Sequence, residues 1–309
     1  MSTKKSAGAL GALGAIDNAL ETTKTTGIQN ALMSLSKLAK VNSVEIDLPM
    51  LQCSAVVQPI TGADDLLQRT LKASGYQFIK LFNKLLFTNT TFEGIAFEDL
   101  EDFEKHLSAP DKALLVYALL SATYTTLPEK MITCPHCDKK SDYTLQPSDM
   151  IQKDTLTKEW EHDVSFDEYT VTREIVEGFS IDFKMQTEES KLELIKNKTN
   201  KDMQDNVNQN GQLLTNIELI SLYIDKLIID DGNDSKEYSK VADILEIISN
   251  MPPELQSKLI EDNTVENFLD YNPNFYMKIK CKNNVCGKVF DWFDINPEND
   301  FFRKSVSIY

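Results

Sequence analysis

Cys134-Pro135-His136-Cys137 is the stretch of sequence on which the predicted fold depends. A short β-prone run, Lys130 to Thr133, leads into it, and a second alternating run, Tyr143-Thr144-Leu145, follows a polar turn. This order predicts a β-hairpin whose tip carries two cysteine sulfurs. Two residues between the cysteines is the usual spacing of a zinc knuckle.

A second pair of cysteines lies far downstream, at Cys281 and Cys286. The runs Phe275 to Lys280 and Lys288 to Phe293 flank it like the strands of another hairpin, and Gly287 suits a sharp turn. Two hairpin tips that face each other would place four thiolates around one ion, as in a structural zinc ribbon. The sequence therefore predicts a structural Zn²⁺, and its predicted ligands are Cys134, Cys137, Cys281 and Cys286.

Two other uses of the first cysteine pair stay open at this point. Cys-Pro-His-Cys is also the active-site tetrapeptide of some thiol-disulfide oxidoreductases, but that chemistry needs the first cysteine at a helix N-terminus. Here the residues Asp138 to Thr144 predict a turn and then a strand, and the second cysteine pair would have no role. A catalytic zinc would need an open coordination position, and His136 is the one histidine near the motif. For the chain as a whole, a zinc-ribbon transcription accessory factor is a further hypothesis.

The composition limits which classes of function are expected. The 309 residues carry a formal net charge of −16 with a pI near 4.7, which argues against a nucleic-acid-binding surface. Five cysteines, two pairs of them at metal-binding spacing, fit a reducing compartment better than a disulfide scaffold. We find no run of eighteen apolar residues, no phosphate-binding glycine loop and no Gly-x-Ser-x-Gly motif, so we expect neither a membrane span nor an enzyme.

The fold class predicted is α+β, with a mostly helical body, short antiparallel strands and a Cys₄ site that joins distant segments. Residues 1–43 predict an N-terminal arm, 44–150 a core with the first knuckle, and 151–270 a mixed helical insertion. Residues 271–309 are expected to carry the second knuckle and to pack with 44–150.

Local patterns predict several individual elements. Strands are expected at Val44 to Leu48, Cys53 to Val57, Thr170 to Thr172 and Phe179 to Met185, and helices at Lys112 to Tyr124, Leu213 to Ile229 and Val241 to Ile248. Thr61 or Asp64 and Ser108 are expected to cap helices, and the acidic run Glu98 to Glu104 to form a solvated helix face. The aromatic residues Trp292-Phe293 and Phe301-Phe302 are expected to pack against the core of the zinc ribbon, with an exposed partner anchor as the alternative.

Taken together, the order of these elements resembles the baseplate hub and hub-assembly proteins of contractile-tailed, T-even-like bacteriophages. The residues that carry the resemblance are Gln58 to Asp65, Ser108 to Tyr124, Ile132 to Cys137, Cys281 and Cys286, Asp294 to Pro297, and Phe301-Phe302. The likeness covers about Val44 onward. The chain departs from the pattern in four places. Its second knuckle is wider, and Asp138 stands directly after the first knuckle, where glycine is common. The long polar insertion and the N-terminal arm are the other two departures.

This resemblance implies a non-enzymatic tail protein that is either a baseplate component or an assembly chaperone. Its partners would be other baseplate and tail proteins in a hetero-oligomeric assembly, without nucleic acid. It would act in the host cytoplasm during assembly and could remain in the tail baseplate of the virion. The N-terminal arm leaves open whether this chain is a transient chaperone or a permanent part.

Overall fold

The computed structural model describes residues 43–61, 64–150, 158–196, 214–230, 232 and 234–308. Residues 43–309 form one compact unit. The predicted arm, apart from Ser43, lies outside the described residues, and so do residues 197–212 of the long polar insertion.

The described residues combine helices with short antiparallel strands, so the fold is an α+β mixture. The helices are α1 (Asp65–Lys72), α2 (Gly75–Thr88), α3 (Leu100–His106), α4 (Ala109–Thr123), α5 (Glu188–Lys196), α6 (Asn216–Ser221), α7 (Val241–Asn250), α8 (Pro253–Glu261), α9 (Thr264–Leu269) and α10 (Pro297–Ile308). The strands are β1 (Val44–Leu48), β2 (Cys53–Val57), β3 (Thr90–Phe92), β4 (Lys130–Thr133), β5 (Lys140–Tyr143), β6 (Thr170–Val176), β7 (Phe179–Lys184), β8 (Ile224–Asp230), β9 (Ser235–Tyr238), β10 (Met277–Lys280) and β11 (Val289–Trp292).

The strands form four antiparallel sheets. Strands β1, β2 and β3 make one sheet in that order, and β6 to β9 make a four-stranded meander. Strands β4 and β5 form one isolated hairpin, and β10 and β11 form another. The β1–β2, β6–β7 and β10–β11 pairs overlap the runs that predict them. The first knuckle also lies on a hairpin, but its second strand is Lys140–Tyr143 and overlaps the predicted run Tyr143 to Leu145 only at Tyr143.

Helix α4 lies at the centre of the first hydrophobic core. Leu115, Ala118, Leu119 and Leu120 are fully buried, so apolar residues surround the helix on all sides. The predicted cap is confirmed, because the Asp111 amide donates to the Ser108 hydroxyl at 3.3 Å. The helix therefore starts at a fixed point and carries the chain directly to strand β4.

The first core also contains residues from the far end of the sequence. Met277, Ile279 and Phe290 of the β10–β11 hairpin are buried in it together with Ile132 and Tyr143 of the β4–β5 hairpin. A second core lies between the four-stranded sheet and helices α5 to α9. The contact that brings the two hairpins together is therefore part of the main hydrophobic core.

Two local predictions were wrong. Leu213 to Ile229 is not one helix: within its described part, α6 ends at Ser221 and strand β8 begins at Ile224. The run Glu98 to Glu104 is not entirely solvated, because Glu104 is 2% exposed and its carboxylate lies 2.5 Å from Lys80 Nζ. Lys80 lies on α2, so the packing of α3 against α2 buries this carboxylate beside its partner.

The predicted core packing is found for Phe301, and Trp292 and Phe302 pack against the same core, which also contains the buried residues of the two hairpins. Phe301 is fully buried, and its ring centroid lies 6.2 Å from Phe82 on α2 and 5.7 Å from Tyr124 after α4. The ring centroid of Phe302 lies 4.8 Å from that of Phe82. Both residues therefore pack on helices α2 and α4 of the first core, whereas Phe293 is 56% exposed.

Candidate metal centre

The first knuckle is a closed loop between β4 and β5. The Cys134 amide donates to the Lys139 carbonyl at 3.1 Å, and the Asp138 amide donates to the Cys134 carbonyl at 2.9 Å. Asp138 has a φ of 56°, in the left-handed region that residues other than glycine rarely adopt. This conformation turns the loop sharply after Cys137.

The second knuckle closes in the same way despite its two additional residues. The Cys281 amide donates to the Lys288 carbonyl at 2.9 Å, and the Gly287 amide donates to the Asn283 carbonyl at 2.8 Å. Gly287 also has a φ of 56°, so it occupies the position that Asp138 takes in the first knuckle. The longer loop extends outward at its tip, where Val285 is 95% exposed.

The two knuckles bring four sulfur atoms to one place. All four Sγ atoms lie within 4.8 Å of one another, with 3.9 Å between Cys134 and Cys286 and 3.7 Å between Cys137 and Cys281. A tetrahedral ion with metal–sulfur bonds of about 2.3 Å requires sulfur separations of about 3.8 Å. The four cysteines can therefore hold a metal ion, and each knuckle supplies two ligands.

Backbone and side-chain N–H groups surround the sulfurs. The His136 amide donates to Cys134 Sγ and the Asn283 amide to Cys281 Sγ, each at 3.4 Å. Asn283 Nδ2 also donates to Cys137 Sγ of the other knuckle at 3.6 Å. These donors stabilise thiolates and orient them toward a cation. The role of Asn283 was not predicted, although its position two residues after Cys281 matches that of His136 after Cys134.

The pKa values of the neighbouring thiols Cys137 and Cys281 shift in opposite directions. The Lys139 backbone hydrogen bond lowers the pKa of the Cys137 thiol to about 7. The Asn283 amide also lowers the pKa of Cys281, but burial and hydrogen bonds with the other sulfurs outweigh it and raise that pKa to about 12. One thiolate thus makes the next harder to form. A bound cation would remove this obstacle, because its charge stabilises all the thiolates together.

The hairpins are also joined directly beside the sulfurs. The Tyr143 hydroxyl donates to the Lys280 carbonyl at 3.2 Å and accepts from the Lys282 amide at 3.1 Å. Lys130 forms an ion pair with Asp300 at 2.7 Å, and its Nζ lies 5.2 Å from the centroid of the Trp292 ring. Cys134 and Cys281 are buried and the other two sulfurs are half-buried, so these contacts hold an enclosed site.

The remaining thiol and the histidines lie in other environments. Burial raises the pKa of the half-buried Cys53 to about 11, which keeps it a neutral thiol. His136 is exposed, and only its amide, not its ring, hydrogen-bonds a sulfur. His106 Nδ1 lies 2.9 Å from the Asp102 carbonyl, and the His162 ring stacks on Tyr169 at 3.9 Å. Among the described residues, the four cysteines are the one His, Cys, Asp or Glu group that meets metal-binding geometry.

The described helices include none that combines the length and apolarity needed to cross a lipid bilayer. In comparisons with known proteins, no family model, no curated protein and no solved structure matches the chain.

Proposed function

We propose that the chain is a non-enzymatic structural protein in which one Zn²⁺ ties two distant parts of the sequence together. The proposed ligands are Cys134, Cys137, Cys281 and Cys286. The observation that carries this proposal is the convergence of four sulfurs from two hairpin tips at separations suited to a tetrahedral ion. Four protein ligands complete the coordination of zinc, which is the arrangement of structural rather than catalytic sites.

The surroundings of the site support a structural role. Cys134 follows strand β4 and is not at a helix N-terminus, where a nucleophilic cysteine would gain acidity. Cys281 and Cys286 lie at the same site, so all four sulfurs have a role in metal binding and two would have none in thiol exchange. The conformations of Asp138 and Gly287 serve the closure of the two loops.

Metal analysis of the purified full-length protein tests the zinc assignment. Protein made without added metal should carry one zinc ion per chain, and Cys53→Ser should carry the same amount. Cys137→Ser should lose most of its zinc, because three sulfurs leave the coordination incomplete. Iron bound to four sulfurs is the other chemistry that such a site permits, and it would show as iron in the same analysis. Metal-free native protein with a Cys134–Cys137 disulfide would refute the proposal.

We further propose that the protein serves in the baseplate of a contractile-tailed bacteriophage, as a permanent component or as an assembly factor. The resemblance carried by the Ser108-capped helix, the two knuckles and Phe301-Phe302 supports this assignment. The net charge of −16 would suit basic surfaces on partner subunits. Exposed apolar side chains on the two hairpins, Met131, Val285 and Val289, offer contact area for such a partner.

Mass spectrometry of purified virions and of lysates from infected cells distinguishes these roles. A permanent component should be present in virions at a fixed ratio to the other tail proteins. An assembly factor should be abundant in the lysate, bound to tail intermediates, and missing from virions. Absence from both tail intermediates and virions would refute the baseplate assignment and leave the metal centre unaffected.

A further inference from the structure

A cleft of about 560 Å³ lies between helices α2, α4, α5, α6 and the start of α10, and it includes none of the four metal-binding cysteines. A smaller cavity of about 280 Å³ shares Lys112, Lys191, Asn296 and Glu298 with it. The volume of the larger cleft is within the range of small-molecule sites, about 300 to 1,000 Å³. Neither space has a role in the function proposed above.

Buried charges form one wall of the cleft. Lys112 Nζ donates to Glu188 Oε2 at 2.6 Å, and these side chains are 8% and 2% exposed. Lys191 Nζ lies 3.7 Å from Glu188 Oε1, and its side chain is 28% exposed. Among the described residues, Glu188 is the one carboxylate that forms an ion pair with either lysine. Two ammonium groups therefore share one carboxylate.

Stability alone does not account for this arrangement. A buried ion pair contributes little to stability on average, and apolar side chains of similar size often replace it without loss. Lys191 lines the cleft, and its ammonium group has three N–H donors, of which Glu188 can accept only some. The half-buried Glu298 lies farther away, although its charge acts on both lysines.

The cleft also has an apolar lining. Phe78, Ile79 and Phe82 of α2 line it together with Leu219 of α6. The Phe78 and Phe82 rings are stacked at 6.0 Å, and Lys112 Nζ lies 5.7 Å from the centroid of the Phe82 ring. A ligand in this space would meet both apolar side chains and the ammonium groups of Lys112 and Lys191.

From this geometry we propose that the cleft binds a small molecule with one carboxylate on an aromatic or aliphatic body. The carboxylate accepts hydrogen bonds from Lys191 on the side away from Glu188. The apolar body lies against Phe78, Ile79 and Leu219. Glu298 repels the incoming anion and limits its affinity, since it lines the same space and carries the same charge.

Displacement of a fluorescent probe tests this site in the full-length, metal-loaded protein. The probe is 1-anilinonaphthalene-8-sulfonate, which joins an aromatic body to one anionic group. Decanoate serves as the competing carboxylate, and decanol is the matched competitor without a charge. We expect one saturable site from which decanoate displaces the probe about tenfold more effectively than decanol, because a hydrogen bond to a charged group favours decanoate.

Substitutions locate the carboxylate. Lys191→Met should weaken the binding of decanoate about tenfold and leave the binding of decanol unchanged. Lys196→Met is the control, because Lys196 lies on the same helix but outside this cleft, and it should change the binding of neither competitor. Glu298→Gln should strengthen decanoate binding, because it removes a competing charge. Urea denaturation of each variant establishes that it is folded. The proposal is overturned if the protein has no saturable probe site, or if decanoate and decanol compete equally in both the unsubstituted protein and Lys191→Met.

Discussion

Replacing Cys286 by serine measures how much stability the proposed metal cross-link contributes. Cys134 and Cys286 are 152 residues apart in the sequence, and they are proposed as ligands of the same ion, one from each knuckle. The chain-entropy relation for a cross-link that closes a loop of this length gives about 5 kcal/mol at 25 °C. The unfolded chain keeps some affinity for the ion through its thiolates, which reduces the effect. We therefore expect Cys286→Ser to lower the free energy of unfolding by about 3 to 5 kcal/mol.

Urea denaturation of the zinc-loaded full-length protein, followed by circular dichroism, measures this change. Cys134→Ser should give a loss of similar size, because both cysteines serve one ion. The double variant should lose little more than either single variant, since the second substitution removes a ligand from a site that is already broken. Cys53→Ser is the matched control and should change the free energy of unfolding by about 1 kcal/mol or less.

Two results would refute this reasoning. If the losses of Cys134→Ser and Cys286→Ser were independent and additive, the two cysteines would not share a site. If a chelator left the free energy of unfolding of the unsubstituted protein unchanged, no metal cross-link would contribute to its stability.

Three further outcomes are expected from the packing of single side chains. Phe301→Ala should lower the free energy of unfolding by about 3 to 5 kcal/mol because the ring is fully buried, whereas Phe293→Ala, at a position that is 56% exposed, should change it by about 1 kcal/mol or less; urea curves of the two variants test the difference. Burial raises the pKa of Asp111 to about 7 in the folded protein, above its ordinary value, so the folded state binds this proton more tightly and the unfolding free energy should fall as the pH rises from about 4 to about 7. Asp111→Asn should lack this part of the slope, and an unchanged slope in a urea series across that pH range would contradict the assignment. Glu188→Gln should cost about 3 to 5 kcal/mol because it leaves Lys112 buried without a charged partner, while Glu188→Gln combined with Lys112→Met should recover most of that loss in the same urea assay.

The parts of the fold that the sequence predicted correctly have local causes. The β10–β11 hairpin follows from alternating residues on either side of a cysteine-containing turn. The start of α4 follows from a serine cap with proline two residues later. In each case residues no more than about fifteen positions apart determine the conformation, so the pattern can be read without knowledge of the rest of the chain.

The apolar segment that ends at Ile229 could not be assigned in this way. Leu213 to Ile229 is apolar at spacings that suit either a helix or a buried strand, and periodicity alone does not separate the two. Strand β8 forms because β7 pairs with it on one side and β9 on the other. The capping box between Thr215 and Glu218 was a local sign that a short helix begins there.

The charged wall of the cleft was also beyond prediction from the sequence. Lys112 and Glu188 are 76 residues apart, and each lies in a stretch that contains other charged residues. Their pairing depends on how α4 and α5 pack, which no local pattern records. The four cysteines are separated by an even longer stretch, but their paired spacing identifies them before their positions in space are known.

The distance in sequence between the two knuckles has a consequence for the order of events during synthesis. At about 5 to 20 residues per second, a ribosome needs about 8 to 30 seconds to add the residues between Cys134 and Cys286. During that interval the nascent chain presents half of a coordination sphere, whose two thiols are open to oxidation or to a competing metal. Under the zinc assignment, the full set of four ligands exists only after Cys286 has been synthesised, so insertion of the ion is a late step of maturation.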